Sequence, residues 1–468
     1  MGSSSSEKAL HVLLVCFPGQ GHINPFLRLA NLLASHGLLV TFCINKTTGG
    51  QMKIPKNNLP SDNKPTIQFD FFDEGLDDEQ IKVTPLDQLM TRLEETGRKA
   101  LPGIIEKYSE NGQPVSCLVS NPFLPWVCDV AVSLDIPSAI LWMQSCACFS
   151  SYYHYHNKLA RFPTENDAEC DVVLPSMPVL KHDEVPSFLH PSTPYPFLAT
   201  AILGQFAYLD KVFCILMETF QELEPEIIRH VSTLHNNIKP VGPLCLTGKI
   251  SGGDLMEVND DCIKWLDGKD KSSVVYISMG SVVSMDPTQR EEFAYGLMNS
   301  GLPFLWVVRP GYGEGDEPDH QIIFPSGLEG RGKMVRWAPQ EEVLRHPAVA
   351  CFVTHCGWNS TMEAISAGKP VVTFPQWGDQ VTDAKFLVDV FEVGVRMGRG
   401  ATTTKLVKRD EVERCVVEAT VGEKAEVLRR NAMRWMKEAE AAVAEDGSST
   451  RSLLEFVEEV KKRNGATL

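Results

Sequence analysis

Residues 11–45 read HVLLVCFPGQGHINPFLRLANLLASHGLLVTFCIN, and this stretch indicates the class of fold. Its first seven residues are an apolar run typical of a buried strand, and residues 24–37 place apolar side chains at helical spacing before Gly37. Residues 38–45 then form a second apolar run. Strand, helix and strand in this order predict two parallel strands joined by a right-handed crossover. The stretch therefore predicts an α/β protein with a parallel sheet.

The same alternation continues on both sides of a break in the chain. The runs VSCLVS, SAILWM and FCILMET extend the first half, and SVVYISMGS, PFLWVVRP, KMVRWAP, ACFVTH and KPVVTFP make up a second doubly wound half. The segment between them is rich in Pro, Gly and polar residues, which indicates a linker. We expect a disordered tail at 1–10, an N-terminal domain at 11–240, a linker at 241–260, a C-terminal domain at 261–445 and a terminal helix at 446–468.

The composition limits the partners and the compartment. The chain of 468 residues carries a formal net charge of −16, which argues against nucleic acid or an anionic membrane as a partner. Its 13 cysteines include no CxxC pair, so we expect a reducing compartment, the cytoplasm, and no metal site. No apolar run reaches the ~18 residues of a membrane span, and the N-terminus lacks a signal-peptide core. We expect a monomer without stable membrane association.

Residues 351–364, CFVTHCGWNSTMEA, lead from an apolar run through a turn into a helical pattern. A helix starting near Asn359 and Ser360 would direct its free backbone N–H groups and its dipole at an anion, and Gly357 would let that anion approach the backbone. The spacing of Ser360 and Glu363 also fits a capping box, in which the two side chains serve only the helix. These residues alone leave both the cap and the anion site open.

A longer segment around this turn resembles a known motif. Residues 337–380, WAPQEEVLRHPAVACFVTHCGWNSTMEAISAGKPVVTFPQWGDQ, are similar nearly throughout to the nucleotide-sugar signature box of plant family 1 UDP-glycosyltransferases. FPGQGHINP near the start and the terminal helix resemble the same family. The resemblance implies a GT-B fold, in which two facing Rossmann-like, doubly wound domains enclose a cleft and a C-terminal helix follows. It also implies that the N-terminal domain binds the acceptor and the C-terminal domain binds the UDP-sugar.

The resemblance further implies which residues hold the donor. A tryptophan stacks on the base, an acidic residue accepts hydrogen bonds from the ribose, and the turn binds the diphosphate. The residues are Trp337, Ala338 and Gln340 for uracil, Glu363 for ribose, Gly280, Ser281, His355, Gly357, Asn359 and Ser360 for the diphosphate, and Trp358, Asp379 and Gln380 for the sugar. Gln380 resembles the glucose-preferring version of the box, so the expected donor is UDP-glucose. No metal ion is implied, because helix N-termini and hydrogen-bond donors neutralise the leaving diphosphate, and no cofactor is expected.

His22 lies in FPGQGHINP, just after the first predicted strand. A histidine there could simply pack or cap the helix, and the Gly-x-Gly could belong to a dinucleotide-binding loop. The dinucleotide fingerprint, however, requires a third glycine where Asn24 stands and an acidic residue after the second strand, where Asn45 and Lys46 stand. The alternative that the loop belongs to a dinucleotide-binding dehydrogenase therefore fails. By resemblance, His22 is the general base of an inverting displacement in which UDP leaves.

Most family members carry an aspartate after the fourth strand that orients this histidine, and alignment on FLPW places Asn121 there. Asp129 falls in a predicted helix and is interpreted as structural. An asparagine cannot stabilise an imidazolium by charge, and the equivalent change in serine proteases costs ~10⁴-fold. A phenol would suffer from that loss, whereas a carboxylic acid with a pKa near ~4 is already ionised. Asn121 therefore predicts a carboxylic acid acceptor and a glucose ester product.

Three further segments resemble the plant subgroup that makes 1-O-acyl glucoses from hydroxycinnamic and hydroxybenzoic acids such as gallic, cinnamic and sinapic acid. They read QSCACFSSYYHYH, PSFLHPSTPYPFLATAILGQF and CILMETFQELE. Gln20, Phe123, Gln144 and Phe188 are the candidate acceptor contacts, with ordinary packing as the alternative for each. Two other functions stay open at this point. One is glucosylation of phenolic hydroxyls such as those of flavonols, and the other is a binding protein without turnover.

Overall fold

The computed structural model describes residues 10–52, 67–77, 80–81, 84–247, 262–280, 285–308, 331–398, 400 and 405–465. Within these ranges the chain forms two sheets, one of seven strands and one of six, and all the strand pairs in both are parallel. Most of the strands are buried along their whole length, which explains why they appear in the sequence as continuous apolar runs. The expected α/β class is confirmed.

The first sheet has the strand order β3-β2-β1-β4-β5-β6-β7. Its strands are β1 (His11–Val15), β2 (Leu39–Asn45), β3 (Ile67–Phe72), β4 (Val115–Ser120), β5 (Ser138–Trp142), β6 (Cys214–Met217) and β7 (Ile238–Pro240). The helices around it are α1 (Gln20–Ser35), α2 (Lys46–Gln51), α3 (Leu86–Glu110), α4 (Trp126–Ser133), α5 (Cys146–His156), α6 (Pro196–Gly204) and α7 (Pro225–Leu234), with short 3₁₀ turns at Ser187–Leu189, Gln205–Lys211 and Leu244–Leu246.

The second sheet has the strand order β10-β9-β8-β11-β12-β13. Its strands are β8 (Val274–Ser278), β9 (Phe304–Val307), β10 (Gly332–Val335), β11 (Val349–Thr354), β12 (Val371–Thr373) and β13 (Gly394–Arg396). The helices are α8 (Cys262–Asp267), α9 (Pro287–Asn299), α10 (Gln340–Arg345), α11 (Trp358–Ser366), α12 (Gln380–Lys385, continued by a π-turn at Phe386–Val390), α13 (Arg409–Thr420), α14 (Gly422–Val443) and α15 (Ser448–Arg463).

Both sheets share one arrangement that determines where a ligand can bind. In each, the first strand lies between the second and the fourth, so the order of connection reverses there. Open α/β sheets bind ligands beyond the carboxyl ends of the strands at this reversal. The turn after β1 and the turn after β4 meet at the reversal of the first sheet, and those after β8 and β11 meet at the reversal of the second.

Helix α15 follows the C-terminal domain in sequence but packs on the N-terminal sheet. Its Phe456 stacks on Phe213 with ring centroids 5.8 Å apart, and Lys239 of β7 forms an ion pair of 2.6 Å with Glu455. Just after the helix, Asn464 donates to the carbonyl of Ser116 at 3.0 Å. The terminal helix predicted at 446–468 thus ties the end of the chain to the domain where the chain begins. The linker proposed at 241–260 is described only up to residue 247.

The interior is apolar and holds all the thiols. The thirteen cysteines are buried and none of them forms a disulfide. Burial raises the pKa of the Cys117 thiol above its usual range, which suppresses the reactive thiolate. No helix in the described ranges is both long enough and apolar enough to cross a bilayer. The tail expected at 1–10 lies outside the described residues apart from Leu10.

Candidate active site

The turns at the carboxyl ends of both sheets line one cavity of about 1260 Å³. Pockets for single ligands span ~300–1,000 Å³, so this volume leaves room for two substrates. Among the described residues proposed from the sequence, those lining the cavity are Gln20, His22, Phe123, Gln144, Phe188, Gly280, Trp337, Ala338, Gln340, His355, Gly357, Trp358, Asn359, Ser360, Glu363 and Asp379. Ser281 lies outside the described residues, and Asn121 and Gln380 lie behind the wall.

Asn121 determines which nitrogen of His22 carries the proton. The backbone N–H of Phe123 donates to Oδ1 of Asn121 at 2.9 Å, so the amide nitrogen must face the other way. That nitrogen lies 2.9 Å from Nδ1 of His22. Because the amide can only donate there, Nδ1 accepts, and the proton of the neutral ring resides on Nε2. Asp129 takes no part, since it pairs with Arg98 at 2.7 Å.

His22 is held neutral by its surroundings. Its ring packs edge-on against Phe17 and Phe123, with centroids 5.1 Å away in both cases. Burial among these rings lowers the pKa of His22 to about 4. The histidine is therefore uncharged at neutral pH, with its Nε2–H as a hydrogen-bond donor.

The residues proposed for uracil and ribose already form one hydrogen-bonded network. The hydroxyl of Tyr276 donates to Oε1 of Gln340 at 3.2 Å. The amide nitrogen of Gln340 lies 2.9 Å from Oγ of Ser360 and 2.7 Å from Oε2 of Glu363. Helix α11 begins at Trp358 with Gly357 as its N-cap, and no side chain caps it. The capping-box interpretation of Ser360 and Glu363 is therefore wrong.

Two glycines pack around the ring of His355 at the start of α11. A Cβ atom at Gly280, where φ is +72°, would lie 2.6 Å from Cε1 of His355. A Cβ atom at Gly357 would lie 2.5 Å from its Nε2. Only glycine fits at both positions, so the backbone and the imidazole can approach the same small ligand group together. With the first N–H groups of α11, this arrangement suits a phosphate.

Two of the residues expected to bind the sugar form hydrogen bonds within the protein. The indole N–H of Trp358 donates to the carbonyl of Glu218 at 2.5 Å, so only the backbone of Trp358 is left to meet a sugar. Gln380 accepts from the backbone N–H of Gln376 at 2.9 Å and fixes that turn instead of lining the cavity. Asp379 does line the cavity. Burial raises the pKa of its carboxyl.

The first turn of helix α1 is attached to the C-terminal domain, where the donor is expected to bind. Pro25 lies inside the helix and has no N–H, so the carbonyl of Gly21 lacks its usual partner four residues later. Nδ2 of Asn359, from the other domain, donates to that carbonyl at 2.6 Å. This contact explains why the helix can start at Gln20 instead of at residue 24, where the sequence placed it. His22 thus rests on an element that touches the proposed diphosphate site.

Arg28 makes a second attachment about two turns further along α1, and no sequence motif predicted it. Its side chain is 3% exposed and pairs with Glu341 and, at 3.5 Å, with Glu363. Arg28 does not line the cavity itself, whereas both carboxylates do. These partners are more than 300 residues away in sequence, so no local pattern points to the contact.

The acceptor side of the cavity, defined as the wall around Gln144, Phe188 and Trp377 where the acceptor is expected, is mostly apolar. Its wall includes Trp377, whose ring lies 5.7 Å from that of Phe188 and 5.7 Å from that of Tyr195. Gln205, also on this wall, was missed because it stands in the apolar run LATAILGQF. A single glutamine in such a run was the available signal. Neither amide atom of Gln205, nor Oε1 of Gln144, has a hydrogen-bond partner among the described residues.

Two facing Rossmann-like domains with an anion-binding helix start in the cleft define the GT-B class of glycosyltransferases. No cluster of three metal-binding side chains occurs among the described residues. Residues 214–414 match the family model of UDP-glucoronosyl and UDP-glucosyl transferases, and residues 8–172 match the glycosyltransferase N-terminal domain. The chain belongs to this family of UDP-glycosyltransferases.

Similar proteins agree with this assignment. The chain is 56% identical to "Gallate 1-beta-glucosyltransferase 84A24" of Punica granatum, over 98% of this chain and 90% of that protein. It is 54% identical to "Cinnamate beta-D-glucosyltransferase" of Fragaria ananassa, over 98% of this chain and 84% of that protein. The crystal structure of Os79 from O. sativa in complex with UDP is similar with a TM-score of 0.82 and 32% identity, covering 96% of this chain and 100% of that one.

Proposed function

We propose that the protein transfers glucose from UDP-glucose to the carboxylate of a phenolic acid, such as gallic, cinnamic or sinapic acid. The products are a 1-O-acyl-β-D-glucose ester and UDP, and the anomeric configuration is inverted. The observation that carries the proposal is the hydrogen bond from the Asn121 amide to Nδ1 of His22. The glucosyltransferases of gallate and cinnamate that are similar over nearly the whole chain support it.

The tautomer of His22 suits a carboxylate better than a hydroxyl. A phenol must lose its proton as it attacks, and an Nε2 that already carries a proton has no free lone pair with which to accept another. A carboxylic acid with a pKa near ~4 has lost its proton in solution. Nε2–H of His22 can donate to one carboxylate oxygen and so orient the other toward the anomeric carbon. That oxygen forms the ester bond while the bond from the anomeric carbon to UDP breaks, and UDP keeps the electron pair.

The donor half supplies orientation and charge stabilisation. Trp337 stacks on uracil, Gln340 recognises its edge, and Glu363 accepts hydrogen bonds from the ribose. His355, the backbone at Gly280 and Gly357, and the N-terminus of α11 stabilise the negative charge that develops on the leaving diphosphate. Asn359, Ser360, the backbone of Trp358, and Asp379 complete the set. Ser281 and Gln380 remain donor contacts proposed from the sequence alone.

Glucosylation of phenolic hydroxyls, as in flavonols, is the less favourable alternative. A base at Nε2 would need the proton on Nδ1, and the oxygen of Asn121 would have to turn toward His22. That turn would remove the acceptor of the Phe123 N–H. The Phe123 N–H is partly buried, so leaving it without a partner costs up to about 1–3 kcal/mol, and the neighbouring backbone opposes the alternative tautomer.

An acceptor competition tests the proposal. Purified protein is incubated with UDP-glucose, an equimolar mixture of gallic, cinnamic and sinapic acids, and quercetin, and products are separated by mass and by lability to mild base. We expect base-labile hexosides of the acids, because esters hydrolyse and phenolic glucosides survive. Base-stable quercetin glucosides as the only products would refute ester formation. UDP binding without any hexoside would favour a binding protein without turnover.

A further inference from the structure

The wall of the acceptor side carries polar atoms that the protein does not satisfy. Gln205 is 4% exposed, and both of its amide atoms lack a hydrogen-bond partner among the described residues. Oε1 of Gln144 is buried and lacks a partner as well. Both side chains line the cavity. Buried polar groups in native proteins nearly always find a partner, so these three atoms indicate a ligand that provides one.

The residues around the two glutamines show what kind of ligand fits this wall. Trp142 ends β5 two residues before Gln144, and its ring lies 5.7 Å from that of Phe206, the neighbour of Gln205. The two glutamines therefore belong to one wall of the N-terminal domain. Trp142, Phe188 and Ile202 line the same cavity and offer only apolar surface or rings. Such a wall fits a flat aromatic ring with a few polar substituents on its edge.

We propose that Gln205 and Gln144 bind the ring hydroxyl groups of the acceptor and select hydroxylated acids over unsubstituted or methoxylated ones. The inference rests on the proposed function and names the substrate feature that this wall recognises. Two of the three unsatisfied atoms are amide oxygens, which need a hydrogen-bond donor. The third is the Nε2 of Gln205, which needs an acceptor oxygen. A phenolic hydroxyl supplies both, a methoxyl group supplies no hydrogen, and an unsubstituted ring supplies neither.

Four benzoic acids with different ring substituents test the inference by kcat/KM for ester formation. The series is 3,4,5-trihydroxybenzoic, 4-hydroxybenzoic, 3,4,5-trimethoxybenzoic and benzoic acid. For the native protein we expect the trihydroxy acid to exceed benzoic acid by about 10- to 100-fold, because a site built for a hydroxyl rejects the analogue that lacks it. Gln205→Met should reduce this ratio to below about threefold, and Gln144→Met should reduce it to a lesser degree.

Gln113→Met is the matched control, since Gln113 does not line the cavity and the side-chain change is the same. It should keep the native ratio. Calorimetric titration of each acid in the presence of UDP gives the same comparison without turnover, and a thermal melt verifies that each variant is folded. Equal use of all four acids by the native protein overturns the inference but leaves the proposed function intact. An unchanged ratio in folded Gln205→Met also overturns it. If the native protein esterifies none of the acids, the proposed function fails, and the inference fails with it.

Discussion

The donor half and the acceptor half of the cavity differ in how their polar atoms are arranged before a substrate binds. On the donor side, the amide nitrogen of Gln340 lies 2.9 Å from Oγ of Ser360 and 2.7 Å from Oε2 of Glu363. On the acceptor side, Gln205 is buried among apolar residues, and neither of its amide atoms has a partner within the described ranges. The donor side is thus ordered before its ligand binds, and that ligand, UDP-glucose, is the same in every reaction. In the acceptor half, the pairing of the polar groups depends on which acid enters.

This difference predicts two kinds of mutational effect. Loss of a donor-side group should reduce transfer to every acceptor equally, because all reactions share UDP-glucose. Loss of an acceptor-side group should change the ranking of acceptors more than the overall rate.

The largest effect is expected for Glu363→Ala. Two charge-assisted hydrogen bonds to the ribose, each about 1.5–3 kcal/mol, would be lost, so kcat/KM for UDP-glucose should fall about 10³-fold. Steady-state kinetics with gallic and with cinnamic acid measure the loss, and calorimetry measures the affinity for UDP. The comparison predicts equal losses with both acids. A loss that differs by more than about threefold between them would show that the two halves are not separable in this way.

Arg28→Gln should act on both stability and donor binding. Removing one partner of a buried ion pair costs about 3–5 kcal/mol, and the lower end applies because Glu341 is 32% exposed. We also expect UDP to bind about tenfold more weakly, since Glu363 loses its ion pair with Arg28. Urea unfolding and calorimetry provide the two measurements. Arg98→Gln removes a more exposed ion pair and is the control, with a loss below about 1 kcal/mol expected.

Asn121→Asp should lower kcat/KM for carboxylic acids about tenfold and raise kcat/KM for phenols about tenfold. A carboxylate accepts from Nδ1–H, so it raises the pKa of His22 and frees Nε2 to act as a base. The same charge repels an incoming carboxylate. The ratio of kcat/KM for quercetin to that for gallic acid measures the change. If acid esterification is unaffected and quercetin is still rejected, the tautomer of His22 does not determine the acceptor.

The smallest effect concerns pH. The folded-state pKa of His22 is about 4, below the ~6.5 of an unfolded histidine, so the unfolded chain binds a proton that the native state refuses. The stability contributed by neutral His22 is complete above pH ~6.5 and is lost as the pH falls toward 4. His22→Gln should therefore lose less stability than the native protein between pH 7 and pH 5. Urea unfolding at both values checks this, and an equal loss in both proteins would contradict it.

Sequence alone predicted the two sheets because most of the strands are buried along their whole length and appear as apolar runs, whereas the partly exposed β3 and β7 gave no such run. It also placed the donor residues near one another, since most of them follow a strand at the carboxyl edge of one sheet.

Prediction from sequence failed where contacts join distant segments. Neither the pairing of Arg28 with Glu341 nor the contact of the Trp358 indole with the carbonyl of Glu218 has a local pattern. Gln205 is a different case, because an isolated polar residue in an apolar run indicates an unusual position without indicating which cavity it faces.

Pro25 has a consequence for attempts to engineer a more robust protein. Replacing a proline within a helix by alanine is a natural choice for thermostabilisation, because it restores a main-chain hydrogen bond. Here the restored N–H would compete with Asn359 for the carbonyl of Gly21. The variant would gain helix stability and loosen the attachment between the domains, so a higher melting temperature would come with slower turnover. The proline keeps one carbonyl available for the other domain, and robustness is better sought away from α1.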